Sequence, residues 1–271
     1  NWFMMYFLSV VLIGTIYPIF LDVISSQKIS VGPPFYHKLI IPFLIPFLLI
    51  MAIGPKLKWI KSNLDDKIYL ISLLIISILL SILIVKNFSS NFLINTILIS
   101  SALYLFFITL RDFFNKGFKN LAQNMAHFGF SLLILSILFN SLFSSEIITN
   151  LKVGETFENT KTKIVFESIS QKEEKNYNSI VAKFTVQDSK GKLENLSPEL
   201  RIYNQPNIAT SEADIKTTLL SDKFIVINIV QNQEFFNVRY QVKPFMLWIW
   251  ISVILISVGG LVSFVKKEYE K

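Results

Sequence analysis

Polar and apolar residues are unevenly distributed along this chain. Charged side chains fall in clumps, and between the clumps lie six long apolar stretches without Asp, Glu, Lys or Arg: Asn1–Leu21, Leu39–Pro55, Ile68–Val85, Asn87–Leu110, Asn120–Ser145 and Pro244–Val265. Each reaches or nears the ~20 residues that carry a helix across ~30 Å of hydrocarbon at 1.5 Å per residue. The second stretch is the shortest, and it places Pro42 and Pro46 in the first turns of its helix, where proline is best tolerated. Between the fifth and sixth stretches the pattern changes to alternation. Lys163–Ser170, Ser179–Gln187, Lys223–Val230 and Glu234–Val242 read as half-buried strands, and Asp188-Ser189-Lys190-Gly191 reads as a turn between two of them. Ser211, with Asp214 three residues on, reads as the cap of one or two helical turns over Ser211–Leu219. The predicted architecture is an α-helical polytopic membrane protein with about six transmembrane helices and an extracytoplasmic β-rich domain. Its parts are a five-helix membrane domain over 1–143, the β-rich domain over 144–243, and a last helix with a short tail over 244–271.

Composition agrees with this pattern. Hydrophobic residues make up 52% of 271, charged residues only 17%, and mean hydropathy is +0.51, against about a quarter charged in an ordinary soluble domain. The net charge of +7 invites a nucleic-acid reading, but its distribution argues otherwise. The segment 144–243 holds 13 Lys+Arg and 13 Asp+Glu, so the whole excess lies in the membrane part. If Asn1 starts in the cytoplasm, ten Lys and Arg fall in short cytoplasmic segments and three (Lys28, Lys38, Lys86) on the other side. That satisfies the positive-inside rule and leaves both ends cytoplasmic, with 144–243 outside. Tyr17, Trp248 and Trp250 then fall near the outer interface and Trp59 near the inner one. The charge is a topology signal, with the lipid bilayer and not nucleic acid as partner.

Candidate chemistry is sparse. Zero Cys excludes disulfides, thiol nucleophiles and iron–sulfur clusters, and two His exclude most multi-His metal sites. No carboxylate pair, phosphate-binding loop or Ser/His/Asp set stands out by spacing, so no catalytic residue is assigned. His37, in VGPPFYHK, reads as a solvated loop histidine. His127 differs, because an ionisable residue inside a spanning helix is a functional-site hypothesis by default. Asn120, Asn124, His127 and Ser131 follow steps of 4, 3 and 4 and share one helix face. Ala126 and Gly129 keep the neighbouring surface low enough for a flat ligand or another helix. The imidazole could ligate iron, carry protons or hydrogen-bond another helix, and periodicity leaves these open.

Several motifs in order add to this reading: Gly14-Thr15-Ile16-Tyr17-Pro18, Val31-Gly32-Pro33-Pro34-Phe35, Gly54-Pro55-Lys56-Leu57-Lys58-Trp59, Met125-Ala126-His127-Phe128-Gly129, Pro198-Glu199-Leu200-Arg201-Ile202-Tyr203, Ser211-Glu212-Ala213-Asp214-Ile215, Val238-Arg239-Tyr240, Lys243-Pro244-Phe245, Trp248-Ile249-Trp250 and Gly259-Gly260. With them the chain resembles the C-terminal part of the CcmF/NrfE-type haem lyases of cytochrome c maturation. The resemblance implies a protein of the bacterial inner membrane that helps attach haem to apocytochrome c on the periplasmic side. It implies as partners a haem chaperone, a protein that presents apocytochrome c, apocytochrome c itself and the rest of the lyase polypeptide. It implies a resident haem b with His127 as one axial ligand, the other expected upstream, and haem also as the transferred substrate. Arg201 and Arg239 become candidates for haem propionates or a partner's carboxylates. The alternative for each is an ion pair within the domain, with Glu199 and Glu234 nearby in sequence. The family's tryptophan-rich segment and outer histidines are missing here, and Asn1 opens inside a hydrophobic helix. The expectation is therefore a truncated or split product, inactive alone. A small-solute permease and a cofactor-free assembly subunit are the competing classes.

Overall fold

The computed structural model describes residues 1–25, 29–57, 67–86, 91–115, 120–188, 191–230 and 234–269. The chain divides into two compact units, Asn1–Leu138 with Ile251–Lys271, and Phe139–Trp250.

Among the described residues, six helices are long and apolar enough to cross a membrane. They are α1 (Trp2–Ser25), α2 (Pro33–Ile53, followed by a 3₁₀ turn at Gly54–Lys56), α3 (Lys67–Val85), α4 (Phe92–Asn115), α5 (Leu121–Phe143) and α6 (Met246–Tyr269). Helix α4 packs against both α2 and α3 and has the largest buried share of the six. Buried Ser77 and Ser81 of α3 and Ser101 of α4 bond carbonyls of their own helices, so their hydroxyls are satisfied without water.

Helix boundaries depart from the charge-free stretches in two instructive places. Helix α2 starts at Pro33, not Leu39, because two prolines at its first positions lack the N–H that a helix start leaves unpaired and already have helical φ. His37, expected in a loop, therefore lies in α2, and Pro42 and Pro46 lie in its interior. Helix α4 continues past Leu110 and carries Arg111 and Asp112. Arg111 lies over the Tyr69 ring at 4.0 Å, and Lys56 Nζ donates to Asp112 Oδ1 at 3.1 Å, so both charges are compensated. Trp59 and Lys119 lie outside the described residues.

Among the described residues the second unit contains ten strands: β1 (Ser145–Leu151), β2 (Thr156–Glu158), β3 (Thr162–Glu173), β4 (Tyr177–Asp188), β5 (Leu193–Leu196), β6 (Glu199–Tyr203), β7 (Ile208–Glu212), β8 (Asp214–Thr217), β9 (Ser221–Ile229) and β10 (Phe236–Pro244). One sheet has the order β1-β10-β9-β8, and the other runs β2-β3-β4-β6-β7 with β5 also paired to β4, all neighbours antiparallel. Alternation decides the core: Ile164, Phe166, Ala182, Phe184, Val186, Ile225, Ile227, Val238 and Tyr240 point inward together. Phe166 and Phe184 stack at 4.4 Å. The four strands read from alternation are all present, as β3, β4, β9 and β10. Gly191, at φ 78°, donates its N–H to Asp188 O at 2.9 Å, as the expected turn requires.

Ser211–Leu219 is a correction: it holds β7 and β8, not helical turns. Leu200 pairs with Ser211 and Asp214 with Ile225, so the backbone groups are consumed by neighbouring strands. The Ser211 hydroxyl donates to Asn228 Oδ1 at 2.6 Å, and Asp214 Oδ2 accepts the N–H of Ser197 at 2.6 Å. Both side chains that mimic a helix cap are spent on tertiary partners.

A buried carboxylate and a lysine join the two sheets. Glu194 of β5, 1% exposed at its side chain, has Lys223 of β9 and Lys192 each at 3.0 Å, and Lys223 also lies 3.7 Å from Asp188. Neither Glu194 oxygen has a well-aligned donor, so these are charge contacts more than directed hydrogen bonds. Burial opposes ionisation of Glu194, but Lys223, and then Lys192, outweigh it and hold the carboxyl below the ordinary glutamate range.

Candidate haem-ligand site on the fifth helix

Asn120 sits at φ 63° just before α5, and its carbonyl accepts the N–H of Asn124 at 3.0 Å, closing the first turn. From there the expected polar face unfolds along the helix. Asn124 is buried, His127 half-buried and Ser131 fully buried. Ser131 leaves the group at once: its Oγ lies 2.8 Å from Thr109 Oγ1 of α4, an interhelical hydrogen bond. Asn120, Asn124 and His127 stay together and line one cleft with Gln123, Pro55, Thr109 and Asp112. The cleft is small, about 80 Å³, well below the ~300–1,000 Å³ of an ordinary ligand pocket.

The low surface beside His127 is taken by a helix. A Cβ on Gly129 would come within 2.9 Å of Ile256 and 3.1 Å of Leu255, and one on Gly259 within 2.9 Å of Ala122 O and Ala126 N. Helices α5 and α6 thus approach backbone to backbone through Ala122, Ala126, Gly129 and Gly259, the small-residue packing usual in membranes. Of the two occupants that the sequence allows there, another helix is the one observed. The imidazole lines the cleft with residues of α4 and of the turn after α2.

The donor set limits the chemistry. Among the described residues, no group of three or more His, Cys, Asp or Glu could hold a metal ion. An iron already held by four porphyrin nitrogens asks less: one protein nitrogen on each axial face. A single imidazole in a cleft open on one side meets that requirement, and Thr109, Asp112, Asn120, Gln123 and Asn124, which line the cleft with it, are polar.

The two arginines lie in the β-sandwich. Arg201 Nε donates to Glu199 Oε2 at 3.0 Å and its guanidinium lies 5.1 Å from the Tyr177 ring centre. Hydrogen bonds to Glu199 and Tyr203 raise its already high pKa further. Arg239 pairs with Glu146 across β1 and β10, not with Glu234, which instead meets Lys152 at 3.0 Å. Cross-strand neighbours explain the choice: Ile148 faces Arg239, and Glu146 lies two residues along β1 on the same side. Gln241 and Arg239 hydrogen bonds hold the Glu146 carboxyl below its ordinary value. The arginines are in separate sheets, Arg201 on β6 and Arg239 on β10. Sequence reasoning passed over the cleft residues Thr109, Asp112 and Gln123. Continuing the α4 periodicity by one turn beyond Leu110 would have found Asp112.

Fold and cleft together define a class: a polytopic membrane protein with a β-sandwich inserted before its last spanning helix. Residues 142–244 match the family model described as CcmF C-terminal beta-sandwich. The cytochrome c-type biogenesis protein CcmF of Pseudomonas fluorescens is 27% identical over 278 residues, covering 96% of this chain, and that of Escherichia coli (strain K12) is 26% identical over 273 residues, covering 97%. The probable cytochrome c-type biogenesis protein NrfE of Escherichia coli is 21% identical over 256 residues. The solved structure titled cytochrome c heme lyase CcmF superposes with a TM-score of 0.71 at 20% identity, over 96% of this chain and 44% of that one. The chain is thus similar over nearly its whole length to CcmF/NrfE-type cytochrome c biogenesis proteins, and its sandwich matches the CcmF C-terminal β-sandwich. It spans about two-fifths of the length of the curated relatives it matches (42% of the first).

Proposed function

We propose that this chain works in cytochrome c assembly as the C-terminal portion of a CcmF-type haem lyase, which joins haem to apocytochrome c. The observation that carries the reading is the similarity to cytochrome c-type biogenesis proteins over almost the whole chain, 94–99% of it, through helices and sandwich alike. Neither a solute permease nor a cofactor-free assembly subunit finds support among these relatives.

In this reading His127 is an axial ligand of a haem b, with the opposite ligand supplied from outside this chain. Such a haem supplies one-electron chemistry at iron. The chain's own part is to present the His127 nitrogen from a helix fixed by close contact with α6 and by the Thr109–Ser131 bond. In this role the imidazole would set the orientation and potential of the iron. The substrate reaction adds each apocytochrome thiol S–H across a haem vinyl group, sulfur to one carbon and hydrogen to the other, with no net oxidation. A protein without Cys cannot be trapped in mixed disulfides with those thiols. Arg201 and Arg239 are partly exposed cations that a haem propionate or a partner's carboxylate would share with Glu199 and Glu146. The working partners are a haem chaperone, a protein presenting apocytochrome c, apocytochrome c itself and the remaining lyase polypeptide. The place of work is the bacterial inner membrane, with both ends cytoplasmic and 144–243 periplasmic.

The test is reconstitution in a bacterium that lacks its own lyase. Co-expression of this chain with the missing part should restore covalently bound haem on a c-type cytochrome, read by haem staining of a denaturing gel. No covalent haem, with both polypeptides stably in the membrane, contradicts the proposal.

A further inference from the structure

The hairpin between β8 and β9 has an unusual tip. Thr217 pairs with Asp222, Thr218 N–H donates to Ser221 O at 3.0 Å, and Leu219 and Leu220 form the two-residue loop. Two-residue hairpin loops favour Asn-Gly, Asp-Gly or Gly-X, whose residues reach positive φ at little cost. Neither leucine here is at positive φ, so their backbone gains nothing from being leucine. Both side chains are exposed, 63% and 64%, and neither supports the core of the sandwich.

The tip is fastened to the start of a spanning helix. The Trp248 indole N–H donates to Leu219 O at 3.0 Å, and Phe245 N–H donates to Leu220 O at 2.9 Å. Phe245 adopts φ 61°, a costly conformation for an aromatic residue, and the bond to the hairpin is what that conformation secures. The end of the preceding spanning helix joins the same knot: Asn140 Nδ2 donates to Pro244 O at 2.6 Å, and the Phe139 ring lies 5.4 Å from that of Phe245. Phe139, Phe143, Phe245 and Trp248 form an aromatic collar at two helix ends, the composition of a membrane–water interface. A loop tied by its carbonyls to this collar stands at the same depth.

We propose that the Leu219–Leu220 tip is a lipid-contacting wedge, inserted among the acyl chains below the headgroups. The occupant of this apolar surface is the bilayer, because the tip continues the aromatic collar of α5 and α6. The wedge gives the sandwich a third point of attachment besides its two connecting helices, and so limits its tilt. This inference is independent of the proposed lyase activity.

The chain has no Cys, so single-cysteine labelling needs no background removal. The full chain carrying Leu220→Cys, or separately Leu219→Cys, is labelled with a polarity-sensitive fluorophore in vesicles of phosphatidylethanolamine and phosphatidylglycerol. Glu234→Cys is the control: its side chain is 88% exposed, and it lies at the opposite end of β9 and β10, about 26 Å away at 3.3 Å per strand residue. Labels at 219 and 220 should emit to the blue of the control and lose more emission to a lipid bearing an acyl-chain nitroxide than to a water-soluble nitroxide. The control should show the reverse order. Labels at both leucines that quench like the control would overturn the proposal, as would quenching by neither agent, which would mean a protein partner covers the tip.

Discussion

Glu194 shows what a buried charge does in this protein. It is almost fully enclosed between two sheets and is tolerated because Lys223 and Lys192 each approach to 3.0 Å. Removing one partner leaves a poorly compensated charge, so Lys223→Met should destabilise the sandwich by about 3 kcal/mol. Losing the charge on both sides, as in Lys223→Met with Glu194→Leu, should cost less than the single change, and thermal unfolding followed by far-ultraviolet dichroism reads both. The pH dependence has a definite sign. The Glu194 carboxyl lies below its ordinary value in the folded protein, so its contribution is complete above the unfolded value of about 4.3 and is lost as pH falls through the depressed one. The midpoint of unfolding should therefore drop, as pH falls from about 5 into the strongly acid range, by more in the parent than in Glu194→Gln. His127 is the contrasting residue: its place on a polar face was legible from the steps to Asn120, Asn124 and Ser131. Its partition from Ser131 was not, because which helix comes alongside is not written in one helix's periodicity.

At the scale of elements, the six spanning helices were legible because a charge inside hydrocarbon is expensive, so charged residues mark the ends. The rule misplaced the ends of α2 and α4 where local chemistry overrode it: prolines that open a helix, and charges that find partners in Tyr69 and Lys56. The four long alternating strands were legible, while β1, β2, β5, β6, β7 and β8 were not, since three to seven residues carry too little pattern and take their pairing from neighbours. The contact between α5 and α6 permits a sharp comparison of adjacent glycines. A Cβ on Gly259 would meet backbone atoms at 2.9 Å, while one on Gly260 would meet nothing within 4 Å. Gly259→Leu should destabilise the bundle by about 1–3 kcal/mol, and Gly260→Leu should be tolerated, both measured as the yield of folded protein and its melting in detergent. Equal behaviour of the two variants would contradict this helix packing.

For the whole molecule, the net charge of +7 resolves into a neutral sandwich segment and a basic membrane part. That division underlies the proposed topology. A reporter fused after Lys271 should read cytoplasmic and one inserted near Lys190 should read periplasmic; the opposite pattern would overturn the orientation. The chain matches, over 96% of its length, proteins more than twice as long. The fold class and the family resemblance were readable from ordered motifs. The surroundings of His127 needed three helices brought together.

The central claim is that His127 holds haem iron, and optical spectroscopy tests it most directly. Membranes containing this chain together with the rest of the lyase should show a low-spin b-type spectrum on reduction. His127→Gly should lose or broaden that spectrum and shift its midpoint potential, and added imidazole should restore it by filling the space of the missing ring. A His127→Gly protein that is stable in the membrane and keeps an unchanged b-type spectrum and potential would contradict the account.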